Sequence, residues 1–443
     1  MTLPDRRSFL GASLGAAATA AACYGRQPPP LPPPAHESFQ PSTLFLTWRR
    51  DPTTTMTVQW VGTAGETADS RVYHRPSVYR PSGPLAAAAG ATITAVPPAW
   101  AATPTAKTPY HPATDLKVFR AELSGLTPDT DYDFRLGKES PTYRFRTMPA
   151  RATDPIAFVS GGDCGVNAHA VANNIQAARQ DPMFAVIGGD LGYDNGTSVA
   201  TSLAFLRNYS KHMVGRDGRL IPLVACIGNH EVSGGYNQPR AKAPFFYSLF
   251  DGLYPDTGYA TLDFGDYLSL VLLDTGHTSA VAGDQTDWLD KTLAARRDHP
   301  HVMVVNHVPA YPSHRSMTGL GGLGLGGTGG ENRRHWVPLF ERHRVPVVLE
   351  HHDHTFKRTK PLVGGLGDDN GVLYLGDGSW GQLRSPQRPE KLTVMARTSQ
   401  DYHLSLHRIQ GNDRYHLALD EAGRVMDVAR TGQRTAGLVR ATE

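Results

Sequence analysis

From Met56 to Arg146 the chain alternates apolar and polar positions. Met56-Thr57-Val58-Gln59-Trp60-Val61, Val118-Phe119-Arg120-Ala121-Glu122-Leu123 and Tyr143-Arg144-Phe145-Arg146 all follow a period of two, with Pro, Gly and Asp between them. That period belongs to strands with one buried face, and no helical stretch interrupts it, so residues 38–151 are expected to form a small all-β sandwich. Beyond Arg151 the rhythm changes. Short apolar runs at Ile156–Val159, Phe184–Ile187, Leu220–Ile227, Tyr267–Leu273, Val302–Val305 and Val345–Leu349 alternate with helical stretches, which implies α/β layers over residues 152–443. Asp284–Arg297 fits a helix with Trp288, Leu289 and Leu293 on one face, and the tail returns to strands at Tyr402–Leu406 and Tyr415–Leu419.

Two stretches offer little beyond their composition. Residues 86–108 are of low complexity and carry no chemistry. Gly319–Gly330 is mostly glycine, expected to be a mobile loop, and lacks the Gly-Lys-Ser/Thr ending of a nucleotide-cradling P-loop. By contrast, Leu126-Thr127-Pro128-Asp129-Thr130-Asp131-Tyr132 resembles the tyrosine-corner region of fibronectin type III domains.

The N-terminus reads as an address. Asp5-Arg6-Arg7-Ser8-Phe9-Leu10 followed by the small-residue run to Ala22 has the form of a twin-arginine export signal over residues 1–22, and the Pro-rich segment 23–37 is an extended linker. The expected localisation is therefore outside the cytoplasm. Cys23 follows three alanines and is a candidate lipid-attachment residue, although Ala20 stands where such sites usually carry Leu. No stretch reaches the 18 or so apolar residues of a membrane span. With 443 residues and a net charge of +3, the chain also lacks the basic footprint of a nucleic-acid binder. Three cysteines are too few for a disulfide framework, and Cys164 and Cys226 are expected to be inert buried thiols.

Histidine is the compositional outlier, with nine of 19 between His299 and His354. Function in α/β sheets sits just past the carboxyl ends of strands, and five such ends carry metal-ligand residue types. They are Gly161-Gly162-Asp163-Cys164-Gly165, Gly189-Asp190-Leu191-Gly192-Tyr193-Asp194, Gly228-Asn229-His230-Glu231, Val304-Val305-Asn306-His307 and His351-His352-Asp353-His354. Any one of them alone reads as turn chemistry. All five in one domain point to a metal site.

In order and content these blocks resemble those of the calcineurin-like metallophosphoesterases, specifically the purple acid phosphatase branch: GDxG, GDxxY, GNH plus an acid, VxxH and GHxH. One departure is His351, where the family has Gly. The resemblance implies an α/β metallophosphoesterase sandwich of two central sheets flanked by helices, preceded by a fibronectin type III-like β-sandwich. It implies one metal on Asp163, Asp190, Tyr193 and His354 and a second on Asp190, Asn229, His307 and His352, with Asp190 bridging. A phenolate suits Fe(III), and the amide and imidazoles suit a divalent Zn, Fe or Mn. The implied reaction is in-line attack on the phosphorus of a small phosphomonoester by a hydroxide held on the metals, with His230 and His314 facing the substrate. Asp194 and Glu231 are expected to orient ligands. The same site would serve a phosphodiesterase or nucleotidase, and a non-catalytic envelope-binding protein is the alternative from another class.

Overall fold

The computed structural model describes residues 39–77, 98–152, 155–318, 327–388 and 392–432. The expected export signal, the Pro-rich linker with Cys23 and residues 319–326 of the glycine run lie outside the described residues. Among those described, no helix is long and apolar enough to cross a membrane.

The N-terminal part, from Phe45 to Arg146, is a β-sandwich of two four-stranded sheets. Strands β1 (Phe45–Thr47), β2 (Met56–Gly62), β6 (Lys117–Leu123) and β5 (Ala106–Pro109) form one in the order β1-β2-β6-β5. Strands β4 (Ala101–Thr103), β3 (Val72–Pro76), β7 (Asp131–Leu136) and β8 (Tyr143–Arg146) form the other in the order β4-β3-β7-β8. The tyrosine corner is present: Tyr132 Oη accepts the Thr127 N–H at 2.9 Å. Strands β4 and β5 lie in the stretch read from composition as featureless. There, pairing with β3 and β6 organises an Ala/Thr-rich segment with little pattern of its own.

The remainder, from Ile156 to Thr431, holds two larger sheets. Strands β9 (Ile156–Gly161), β10 (Ala185–Ile187) and β11 (Leu223–Ala225) run parallel, and β21 (His403–Gln410), β22 (Asp413–Asp420) and β23 (Val425–Thr431) extend them antiparallel in the order β11-β10-β9-β21-β22-β23. The seven-stranded sheet runs β12 (Ala260–Phe264), β13 (Leu268–Leu273), β14 (His301–Asn306), β15 (Val347–Glu350), β19 (Leu373–Asp377), β16 (Phe356–Thr359) and β20 (Met395–Ser399), with β13, β14, β15 and β19 parallel. A two-stranded hairpin, β17 (Leu362–Val363) and β18 (Leu366–Gly367), projects beside it.

Alternation along the seven-stranded sheet sorts its two faces. Leu268, Leu270, Leu272, Met303, Val305 and Leu349 join one core with Val159, Val186 and Val224 of the six-stranded sheet. Val271, Leu273, Val304 and Val348 join a second with Leu289 and Leu293 of α4 (Asp284–Ala295), Val337 and Phe340 of α6 (Val337–Arg342), and Trp336, which follows α5 (Gly330–His335). Helices α1 (Ala168–Arg179) and α2 (Val199–His212) contribute Ala170, Ala177, Phe205 and Leu206 to the first core, and α3 (Pro244–Phe250) adds Phe245 and Phe246.

That first core also runs through the N-terminal sandwich. The period of two in β2 predicts a solvent face at Thr57 and Gln59, but all seven residues of the strand are buried. Gln59 donates to the Leu249 carbonyl at 2.9 Å, Arg120 pairs with Asp251 at 2.6 Å, and the Trp48 ring packs edge-on to Phe184 and Phe264. The polar face of the strand is a contact face.

Candidate metal centre

All five blocks fall just past strand ends: Asp163 after β9, Asp190 and Tyr193 after β10, Asn229 after β11, His307 after β14, and His352 and His354 after β15. Since β9, β10 and β11 are parallel, as are β14 and β15, each sheet presents its blocks at one edge. Five of these residues, Asp163, Asp190, Tyr193, His352 and His354, have positive φ, between 55° and 70°. Left-handed backbone at non-glycine residues costs about 1–3 kcal/mol each and persists where the surroundings over-determine it. Here it recurs in three of the five strand-end blocks.

The donors meet in two groups. His307 Nε2 lies 3.3 Å from Asp190 Oδ2, 3.1 Å from Asn229 Oδ1 and 3.1 Å from His352 Nδ1. His354 Nε2 lies 3.0 Å from Asp163 Oδ1 and 2.9 Å from Tyr193 Oη, with Tyr193 Oη 3.3 Å from Asp163 Oδ1. Asp190 has an oxygen within 4.8 Å of the donors of both Asp163 with His354 and His307 with His352. Donors that share an ion at about 2.0–2.2 Å stand about 3 Å apart, so both groups have the spacing of a coordination shell. Asp190 Oδ2 is buried and makes no hydrogen bond of good geometry. A carboxylate oxygen in that state fits a cation.

Electrostatics agree. Burial disfavours charge on Asp190, yet the His307 imidazole beside it holds the carboxyl well below its ordinary range. Burial works against a charged imidazole at His307 too, but Asp190 raises its pKa to about 9. The pair thus keeps a proton where a metal would displace it. Burial, then the carboxylates of Asp163 and Asp190, push the Tyr193 phenol far up, so only a nearby cation makes its phenolate accessible.

The supporting shell is dense. His307 Nδ1 bonds the Gly188 carbonyl at 2.9 Å, which leaves Nε2 for the centre. Glu231 accepts the N–H groups of Gly228, Asp190 and Leu191 at 2.7–2.8 Å and so ties the second block to the third. Its burial, then Asp190, raises its pKa to about 8. Asp163 Oδ2 accepts the His352 N–H at 2.7 Å, and Asp194 accepts the Gly196 N–H at 2.7 Å.

His230 donates its N–H to Asp190 Oδ1 at 2.8 Å, and its ring lies 4.2 Å from that of Tyr193. It therefore stands at the rim of the centre with its ring outside the two donor groups. His314 is placed differently: Asp353, between His352 and His354, accepts its N–H at 2.7 Å, while its Nδ1 meets the Ser385 carbonyl at 2.7 Å. The imidazole is thus near the fifth block without touching the seven donors.

His351, the departure, is 1 % exposed and held through Nδ1 to the Asn306 carbonyl at 2.9 Å. A Cβ at Gly188 would stand 1.9 Å from its ring and one at Gly162 2.6 Å, so the glycines just past β9 and β10 leave the space it fills. Three neighbours went unread in the sequence: Asn195 against His230, Tyr236 with its Oη 3.4 Å from His352 Nε2, and Arg384 with its Nε 3.3 Å from His354 Nδ1. Only Asn195, next to the second block, carried a positional signal. Cys164 and Cys226 are free and buried, their thiols pushed up chiefly by desolvation.

Residues 41–147 match the purple acid phosphatase N-terminal domain, and residues 156–356 match the calcineurin-like phosphoesterases. The chain thus carries a purple acid phosphatase N-terminal domain followed by a calcineurin-like phosphoesterase domain. An uncharacterized protein of Mycobacterium tuberculosis is 29% identical over 301 residues, 58% of this chain and 53% of that protein. Purple acid phosphatase 21 of Arabidopsis thaliana is 25% identical over 304 residues, 62% of each chain. The chain thus spans about half to three-fifths of the length of these relatives. In fold it is similar to a purple acid phosphatase from yellow lupin seeds, with a TM-score of 0.67 at 15% identity over 88% of this chain and 73% of that one. It is also similar to PhoD, with a TM-score of 0.61 at 11% identity over 89% and 94%.

Proposed function

We propose that the chain is an exported dinuclear-metal phosphatase that hydrolyses small phosphomonoesters. The observation that carries this is the pair of donor groups sharing Asp190, with Tyr193 in one and Asn229, His307 and His352 in the other. The phenolic oxygen favours Fe(III) in the first group, and the amide and imidazoles favour Zn, Fe or Mn in the second. When bound, such ions supply Lewis acidity, charge neutralisation of the ester and acidification of a coordinated water.

The protein's own groups do the rest. Asp190 holds both halves of the site at one spacing, and Glu231 fixes the loop that carries it. His230 is anchored at its N–H and at Nδ1, which leaves Nε2 as the remaining ring atom; with Nδ1 donating to Asn195, Nε2 gives a proton to the departing alkoxide only from the imidazolium form, which burial disfavours and the Asp190 carboxylate favours. His314, half-buried beside the fifth block, meets the organic part of the ester in this reading. Export rests on the Arg6-Arg7 signal, whose pathway carries folded and already metallated proteins.

The test is the purified holoprotein assayed on aryl and alkyl phosphomonoesters and on diesters, with its visible spectrum. Faster turnover of monoesters, and a visible band that Tyr193→Phe bleaches, are expected. Turnover confined to diesters would overturn the substrate class, and a colourless active protein would overturn the iron assignment.

A further inference from the structure

At the opposite edge of the seven-stranded sheet from the metal centre lies a cavity of about 560 Å³. It opens between Pro300, at the start of β14, and Pro346, just before β15, whereas His307 and His352 follow the far ends of those strands. A strand of six residues, the length of β14, separates the two places by roughly 20 Å.

Five arginines line the cavity, Arg296, Arg297, Arg342, Arg344 and Arg414, with Asp298 as the carboxylate among the lining residues. Asp263 neutralises Arg296 at 2.6 Å, and Asp290 stands 3.4 Å from Arg342. Arg297 reaches Asp298 at 3.4 Å with both side chains largely exposed, and no carboxylate pairs with Arg344 among the described residues.

Arg414 is the informative member. It is 1 % exposed, yet its guanidinium bonds only to uncharged groups: Thr431 Oγ1, the carbonyls of Pro300 and Gly432, and His301 Nδ1. Burial lowers its pKa to about 10, and burial together with Arg414 lowers that of His301 to about 4, so the imidazole stays neutral beside it. The Asp413 carboxylate acts on Arg414 through space but is itself paired with Arg430 at 2.7 Å, so the buried cation is only partly balanced, and it lines a cavity whose charged residues are mostly cationic. An anion seated there would complete the charge balance. Arginine forks match the paired oxygens of a phosphate better than they match a spherical halide.

We propose that this cavity is a second, non-catalytic binding site for a multivalent phosphate anion, held between Arg344, Arg297 and the buried Arg414. The site is independent of the reaction assigned to the metal centre.

Inorganic phosphate is the probe, measured by equilibrium dialysis on the holoprotein. Two phosphates per chain are expected, one at each place. The double variant Arg297→Ser with Arg344→Ser, whose side chains lie at the mouth and leave the packing of Arg414 intact, should bind one. Replacing both with Lys should restore most of the second. A single phosphate per chain in the native holoprotein, or two in the serine variant, would overturn the proposal.

Discussion

Asn195 grips His230 at two points: its N–H donates to the His230 carbonyl at 2.8 Å, and its Oδ1 lies 2.5 Å from His230 Nδ1. An amide oxygen can only accept, so Nδ1 carries a proton in this arrangement and Nε2 is the ring atom left for the proposed substrate. Asn195 itself sits in left-handed backbone at φ 54°, one more constrained residue in the loop that carries Asp190 and Tyr193.

Removing that grip should slow turnover without unloading the metals. Asn195→Ala is expected to lower kcat by about 10-fold, the lower end of the cost of losing an orienting partner, with KM and metal content near native. Asn195→Asp keeps an acceptor and should retain most of the rate. Loss of metal in Asn195→Ala would mean that the residue holds the ligand loop instead.

His230→Ala is the stronger version of the same test. Metal content should stay near native while turnover falls by about 10²-fold or more. The loss should be large for alkyl phosphates and smaller for aryl phosphates, whose leaving groups need little protonation. Equal losses on both esters would restrict His230 to an electrostatic role.

The fit of His351 between two glycines is testable by stability alone. Gly188→Ala places a methyl 1.9 Å from the ring and should cost about 1–3 kcal/mol in urea unfolding. In a His351→Gly background the same change should cost much less, because nothing then fills the space. An undiminished cost in the double variant would locate the strain elsewhere.

Export has its own experiment. Arg6→Lys with Arg7→Lys should leave the protein in the cytoplasm, since the paired arginines are what the translocation machinery reads. Fractionation that finds normal export of this variant would remove the assignment.

The positions of the seven proposed donors were legible because ligand chemistry restricts residue type and strand ends restrict position: Asp163, Asp190 and His307 each follow an apolar run that reads as a buried strand. What turns them inward was not legible. Positive φ at Tyr193 and His354 is a property of the assembled loops, and neither residue type announces it. Arg384 and Tyr236 reach the site from segments without a pattern, and their approach depends on long-range folding. The same holds for Gln59 and Arg120, polar positions in strands with a period of two. Alternation reports that a strand has two faces, and the tertiary fold decides whether the polar one meets water or another layer.

The central claim, that Asp190 serves two metal ions at once, is tested most directly by counting metals per chain with inductively coupled plasma mass spectrometry in native protein, Asn229→Ala and Asp190→Asn. The account predicts two per native chain, about one in Asn229→Ala, which leaves the Asp163, Tyr193 and His354 group complete, and well under one in Asp190→Asn. Two metals retained in Asp190→Asn, or fewer than one in the native chain, would contradict it.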